Sequence, residues 1–383
     1  MDKPTVQDIF HRFYPAYLDQ YSPSPVQAKV AHNIMNCKTG AYGANVCVCE
    51  DCGFVQIHYN SCRNRCCPMC QAVPKEMWMD ARREDVLDAP YFHLVFTVPD
   101  ILNPVIYSNQ RLLYDALYHA ASSTISELTA DPKHLGAKVG YICILHTWGS
   151  EMNFHPHIHT ILLGGGLASN NQWKDNGENF FLTIRVISKV FRGKYLEELK
   201  RLWEEDKLVF HGTAEKFRNH YTFKELLDSC YGMDWIPHCK KTFNGAQTVI
   251  KYLGKYTHRI AVSNHRIVRM DDDTVTFLVK DYRNEGQWKE LTISGVEFVR
   301  RFLMHVPPRR FVRIRHYGLL CSRTKNQKLT LCRNLLGCKK YLSKLRDMEM
   351  PEILEHLYGI KVCVCKACGG HLGKPQMRMP LRC

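Results

Sequence analysis

The spacing of apolar residues changes several times along the chain, and each change marks a different kind of element. The opening segment has helical spacing, with Ser24-Pro25 as cap and first-turn pair before VQAKVAHNIMNC, and Thr39-Gly40 ends it. Residues 41–71 are dense in Cys, Gly and Asn and carry little period of either kind, which suits a segment organised by metal rather than by a core. VPKEMWMDARREDVLDAP then reads as an amphipathic helix stopped by Pro90. From Tyr91 the pattern is strand-like over YFHLVFTV, that of one long helix over residues 104–130, and strand-like again over VGYICILHTW and HPHIHTILLGGG. Strand, helix, strand, strand is an α+β order.

The polar stretch ASNNQWKDNGEN predicts a surface loop, followed by helix around residues 187–206. TFNGAQTVIKYLGKYTH suits a helix, IAVSNHRIVRM, TVTFLVKDYR and WKELTIS suit short strands, and GVEFVRRFLMHV suits a further helix. A very basic run, PPRRFVRIRHYG, leads to a second cysteine cluster. Three regions are expected: a helical and zinc-binding part for DNA recognition over 1–88, a catalytic part over 89–304, and a basic C-terminal part with a second zinc knuckle over 305–383.

Composition narrows the function. With 52 Lys+Arg against 37 Asp+Glu, the formal charge of +15 draws the chain to polyanions. No stretch approaches the ~20 apolar residues of a bilayer span, and the N-terminus lacks the order of a signal peptide. The expectation is a soluble bacterial cytoplasmic protein, associated with the nucleoid, with no membrane partner. In such a chain 18 cysteines, several in C-x-x-C pairs, read as metal ligands rather than disulfides.

Three constellations carry chemistry. Cys49-x-x-Cys52 and Cys67-x-x-Cys70 are separated by fourteen residues, near the spacing that closes one tetrahedral Zn²⁺ site. Cys62 and Cys66, with Cys37 and Cys47, are left over for a second site. Cys365-x-x-Cys368, near Cys363 and His371, suggests a further knuckle whose missing half could be Cys332 and Cys338. In FHPHIHT, His157 and His159 share one face of a strand and can reach one ion, while Ile158 packs behind them. His146 is the first choice of third ligand, with Glu151 and His155 as alternatives. In KYLGKYTHR, Tyr252 and Tyr256 lie on one face of a helix amid Lys251, Lys255, His258 and Arg259. Such a stripe is ordinarily core packing, and the surrounding cations shift the reading toward a nucleophile pair.

Taken together, YNSCRNRCCPMCQ, YFHLVFTVPD, LHTWG before HPHIHTILLGGGL, YLGKYTHR and HVPPRRFVRIRHYGLL resemble the two-tyrosine HUH rolling-circle transposases of the insertion-sequence-91 family. The resemblance implies a ferredoxin-like antiparallel sheet carrying the site, His157 and His159 with Ile158 between them as metal ligands, Tyr252 and Tyr256 as nucleophiles, and an N-terminal zinc domain for end recognition. Cys66 stands where relatives often have histidine.

The expected reaction is nicking and joining of single-stranded DNA through a 5′-phosphotyrosine, with Mg²⁺ or Mn²⁺ at the histidines, since hard phosphate oxygens suit those ions. Arg309, Arg310, Arg313 and Arg315, interleaved with aromatics, are expected to hold DNA. No helicase P-loop is visible, so a host helicase is an expected partner beside the element ends, and monomer and dimer stay open. The rival readings are a rolling-circle replication initiator and a non-catalytic zinc-dependent DNA-binding protein.

Overall fold

The computed structural model describes residues 3–176, 180, 182–235, 237–243, 249, 254, 261–281, 285–373 and 377–378. Two capped helices open the chain: α1 (Val6–Gln20), where Thr5 and Asp8 form a capping box, and α2 (Pro25–Met35), capped by Ser24 with Pro25 in the first turn. A hairpin follows, β1 (Ala44–Val48) and β2 (Val55–Tyr59), in the segment whose sequence shows no strand period. The structure adds strands to that reading but agrees on the cysteines, since Cys49 and Cys52 of the turn belong to a four-thiol group. Helix α3 spans Ala72–Arg83.

The central sheet uses β3 (Tyr91–Thr97), β4 (Lys138–Trp148), β5 (Phe154–Leu167) and β7 (His238–Phe243), with β6 (Trp173–Asp175) as a short addition to β5. The 104–130 stretch is two helices, α4 (Asn103–Ser108) and α5 (Gln110–Ala130). Asn109 breaks the run at φ −126°, ψ 38°, and its side chain donates to the Val105 and Val209 carbonyls and accepts from the Val209 N–H. With α6 (Ile184–Glu204) between β5 and β7, the order is βαββαβ. In space the strands run β4-β5-β3-β7, all antiparallel. That is the ferredoxin-like arrangement. The edge strand β11 (Ile314–Gly318) extends the sheet beside β4.

The parity of β5 sorts its residues between two cores. Ile158 and Leu162 face α5, α6 and α7 (His220–Gly232), in a cluster with Phe96, Tyr118 and Phe191. Ile161 and Leu163 face the other way, with Ile142, Ile144, Leu87 and Val249. Ile158 is fully buried, so this placement contributes roughly 1.5–3 kcal/mol and fixes which face the flanking histidines occupy.

Packing cuts across the three regions expected from sequence. The strands β8 (Ile267–Met270), β9 (Thr274–Asp281) and β10 (Gln287–Ser294) and the helix α8 (Gly295–Met304) share a core with α1 and α2, through Phe10, Phe13, Phe277, Phe298 and Phe302. A Cβ on Gly295 would strike the Phe13 ring, so glycine permits this close approach. Two further helices, α9 (Lys325–Leu336) and α10 (Met350–Tyr358), lie in the C-terminal part. That part docks on α3, where Asp80 accepts from the Tyr341 hydroxyl (2.7 Å), the Ser343 hydroxyl (2.5 Å) and the Leu345 N–H (2.9 Å). No described helix is long and apolar enough to cross a membrane.

Candidate active site

Strand pairing assembles the histidines. His146 of β4 stands opposite His157 of β5, and His159 stands between Ile144 of β4 and Val95 of β3. Because 157 and 159 differ by two, both imidazoles leave the sheet on one face. The ring nitrogens of His146, His157 and His159 lie within 4.8 Å of one another, and all three side chains are buried. His146 stacks on Trp148 at 4.6 Å, which fixes its ring plane.

The Nε2 atoms of His157 and His159 are 3.1 Å apart. An ion about 2.1 Å from each would see them at roughly 95°, nearer an octahedral than a tetrahedral angle. Three imidazoles in a dry pocket are otherwise costly, so the donor set fits a divalent ion. Of the alternative third ligands, neither is gathered in. His155 turns to Asp100 at 3.2 Å, and Glu151 lies near the Lys289 ammonium at 3.9 Å.

Around this triad sits a group that sequence reasoning missed. His93, on β3, is 4% exposed, and its Nε2 lies 2.9 Å from His159 Nδ1 with the rings stacked. Burial, aided by His238 and His157, pushes the His93 imidazole down to about 3, so it is neutral near pH 7. The signal was present: a lone polar residue in the apolar strand YFHLVFT, in register with Ile161 of the HUH strand. On the far side of β4, buried His305 accepts from Thr147 Oγ1 (3.1 Å) and donates to the Met152 carbonyl (3.0 Å), bracing the β4–β5 turn.

Tyr252, Lys255 and Tyr256 lie outside the described residues. Their described neighbours Val249 and Gly254 are both buried. Val249 packs with Ile142, Ile144 and Ile161, on the histidine face of the sheet, and a Cβ on Gly254 would meet the Met79 sulfur of α3.

Comparison with known proteins gives the family of the chain. A family model described as "Putative transposase" matches residues 140–328, and one described as "Transposase zinc-binding domain" matches residues 9–98. The chain is 40% identical over 369 residues to "Putative transposase y4qJ" of Sinorhizobium fredii, covering 95% of this chain and 93% of that protein. It is 30% identical over 309 residues to the transposase for insertion sequence element IS801 of Pseudomonas savastanoi pv. phaseolicola, covering 79% of this chain and 72% of that protein. The chain belongs to the insertion-sequence-91 transposase family. Solved structures of the conjugative relaxase TrwC with oriT DNA are more distant. The metal-bound form is 13% identical over 44% of this chain and 74% of that chain, with a TM-score of 0.25. The metal-free form covers 29% of this chain and 44% of that chain, with a TM-score of 0.24. Both scores are too low to place a residue.

A transposase of this family carries a zinc-binding domain, and the cysteines form two four-thiol groups. Cys37, Cys62, Cys67 and Cys70 make one; Cys49, Cys52, Cys365 and Cys368 make the other. The expectation that the 49/52 and 67/70 pairs close on one ion is thereby corrected. The missing half of the C-terminal knuckle is Cys49-x-x-Cys52, not Cys332 and Cys338, and neither Cys363 nor His371 joins the group. Sulfur separations of 3.8 Å between Cys62 and Cys70, and between Cys52 and Cys365, match the roughly 3.8 Å edge of a tetrahedron with about 2.3 Å Zn–S bonds. Cys66 is also corrected: it is buried outside both groups, and burial pushes its thiol up. Cys37 takes the place assigned to it.

The basic tail divides. Arg309 and Arg310 are exposed, and Arg313 is half-buried beside Arg65. Arg315 is not a free surface cation: it pairs with Asp115 and lies 4.0 Å over the Tyr118 ring and 5.2 Å from Phe311. Its alternation in the sequence is that of a strand, β11, whose long side chain is spent on α5.

Proposed function

We propose that this transposase nicks and joins single-stranded DNA through a 5′-phosphotyrosine, with Tyr252 and Tyr256 as nucleophiles and His146, His157 and His159 holding Mg²⁺ or Mn²⁺. The observation that carries this reading is the convergence of the three buried imidazoles on the sheet face where Val249 packs. Val249 is three residues before Tyr252, and Gly254 lies between the two tyrosines.

A bound divalent ion supplies Lewis-acid polarisation of the scissile phosphate. His146, His157 and His159 would hold the ion through ring nitrogens, leaving it open to the phosphate. A phenol with a pKa near 10 is a weak nucleophile at neutral pH, and the Lys255 cation favours its ionised form. The phenolate oxygen of one tyrosine forms a bond to phosphorus as the bond to the 3′ oxygen breaks, leaving a 3′-hydroxyl. The second tyrosine opens another strand in the same way, and the 3′-hydroxyl then attacks the phosphotyrosine, restoring a phosphodiester and freeing the phenol. Each step exchanges one ester for another, so no external energy source is required. Exposed Arg309 and Arg310 supply backbone contacts, and a host helicase supplies the single strand.

The test uses labelled single-stranded DNA from the element ends, with Mg²⁺, Mn²⁺ or chelator, and looks for a denaturation-resistant protein–DNA adduct. The expected adduct requires metal and disappears in the Tyr252→Phe, Tyr256→Phe double variant. An adduct that persists in that variant refutes the assignment, and binding with no adduct under any condition moves the chain to the non-catalytic reading.

A further inference from the structure

Resting on that metal assignment, we infer that His93 is a positioning residue: by accepting a hydrogen bond it keeps the proton of His159 on Nδ1 and so presents His159 Nε2 unprotonated to the ion.

The hydrogen-bond directions leave few choices. His157 Nδ1 lies 2.6 Å from the His155 carbonyl, which can only accept, so His157 carries its proton on Nδ1 and its Nε2 presents a lone pair. His159 Nδ1 faces His93 Nε2 at 2.9 Å, a contact between two imidazoles that can run either way. If His93 donates, His159 must hold its proton on Nε2, where it points at His157 Nε2, 3.1 Å away. The three rings then form a relay that ends on the His155 carbonyl, and His159 cannot be a ligand through Nε2. If His159 donates, His93 holds its proton on Nδ1, and two lone pairs converge on the position a cation would occupy. The two arrangements contain the same protons: His93 and His159 each exchange one nitrogen for the other, and no proton leaves the protein.

The contact is therefore a two-position element set by metal loading. A carboxylate in place of His93 would accept only; an imidazole can do both, which lets the same buried pocket be satisfied with or without the ion. His93 is suited to this by position, since β3 lies beside β5 and residue 93 is diagonal to residue 159 in the register.

The experiment measures Mn²⁺ affinity by electron paramagnetic resonance on the full chain, together with histidine ¹⁵N chemical shifts with and without Zn²⁺ as a diamagnetic substitute. Wild type should move the His93 and His159 protons from Nε2 to Nδ1 together on loading. His93→Gln, whose amide oxygen can accept, should bind Mn²⁺ within about threefold of wild type. His93→Leu should weaken Mn²⁺ binding about 10- to 100-fold while thermal unfolding still shows a folded chain. Equal affinity in the Leu variant, or a loaded wild type with the proton still on His159 Nε2, overturns the inference. The ¹⁵N measurement decides the matter even if the Leu variant fails to fold. Wild type that binds no Mn²⁺ overturns the metal assignment itself, and this inference with it.

Discussion

The pairing of cysteines from opposite ends of the chain makes a prediction that neighbouring spacing would not. Cys52 and Cys365 are 313 positions apart and their sulfurs are 3.8 Å apart. Replacing Cys365 and Cys368 by Ser should lower the zinc content from two ions per chain to one, and so should replacing Cys49 and Cys52. Combining these two pairs should still leave one, because both belong to the same group. Combining Cys67→Ser and Cys70→Ser with Cys365→Ser and Cys368→Ser should leave none. A cross-link closing a loop of 313 residues restricts the unfolded chain by about 5 to 6 kcal/mol in the chain-entropy relation. That is an upper bound on the stability lost, because Asp80 and the pairing of β1 with β12 (Met377–Arg378) hold the same region. Metal analysis gives the stoichiometry, and trypsin reports release of the tail through faster cleavage at exposed Lys361 and Lys366. Zero zinc in the 49/52 plus 365/368 variant, or two in any single-pair variant, would refute the grouping.

Other outcomes follow from individual contacts. Arg309→Ala with Arg310→Ala should lower the salt slope of single-strand binding by about 1.4, from two lost phosphate contacts, with stability unchanged. Arg315→Ala should instead cost about 1–3 kcal/mol of stability, seen in denaturant unfolding, through loss of Asp115 and the Tyr118 ring. His305 is held at about 4 by burial and by Arg300, against 6.5 ordinarily. As pH falls, the unfolded chain takes up that proton first, so the stability His305 confers is intact above about 6.5 and lost between about 6.5 and 4, by about 3 kcal/mol. His305→Gln should flatten unfolding free energy against pH in that window, and an unaltered slope would show that the histidine is not buried neutral.

Much of the site was legible because it depends on local rules. The period-two placement of His157 and His159, the turn that brings His146 back to them, and the Ser24 cap follow from neighbours in sequence. The cysteine partners were not legible, since a C-x-x-C pair specifies half of a tetrahedron and says nothing of which distant half completes it. Spacing favoured 67/70 over 365/368 for the 49/52 pair, and tertiary folding chose the latter. His93 was hidden for a related reason: its role depends on the register between β3 and β5. Arg315 misled because charge and aromatic alternation look alike on a DNA-facing strand and on one whose cation is paired beneath it. The packing of β8–β10 and α8 onto α1 and α2 is likewise long-range, and no period along the chain announces it.

The joining of residues 49–52 to 365–368 also sets an order on biosynthesis. Cys49 and Cys52 leave the ribosome with two of the four thiolates and must wait until residues 365–368 have followed them. A product ending between residues 70 and 368 carries the whole Cys37 group but only part of this one, so filling of the second group reports that synthesis has passed residue 368.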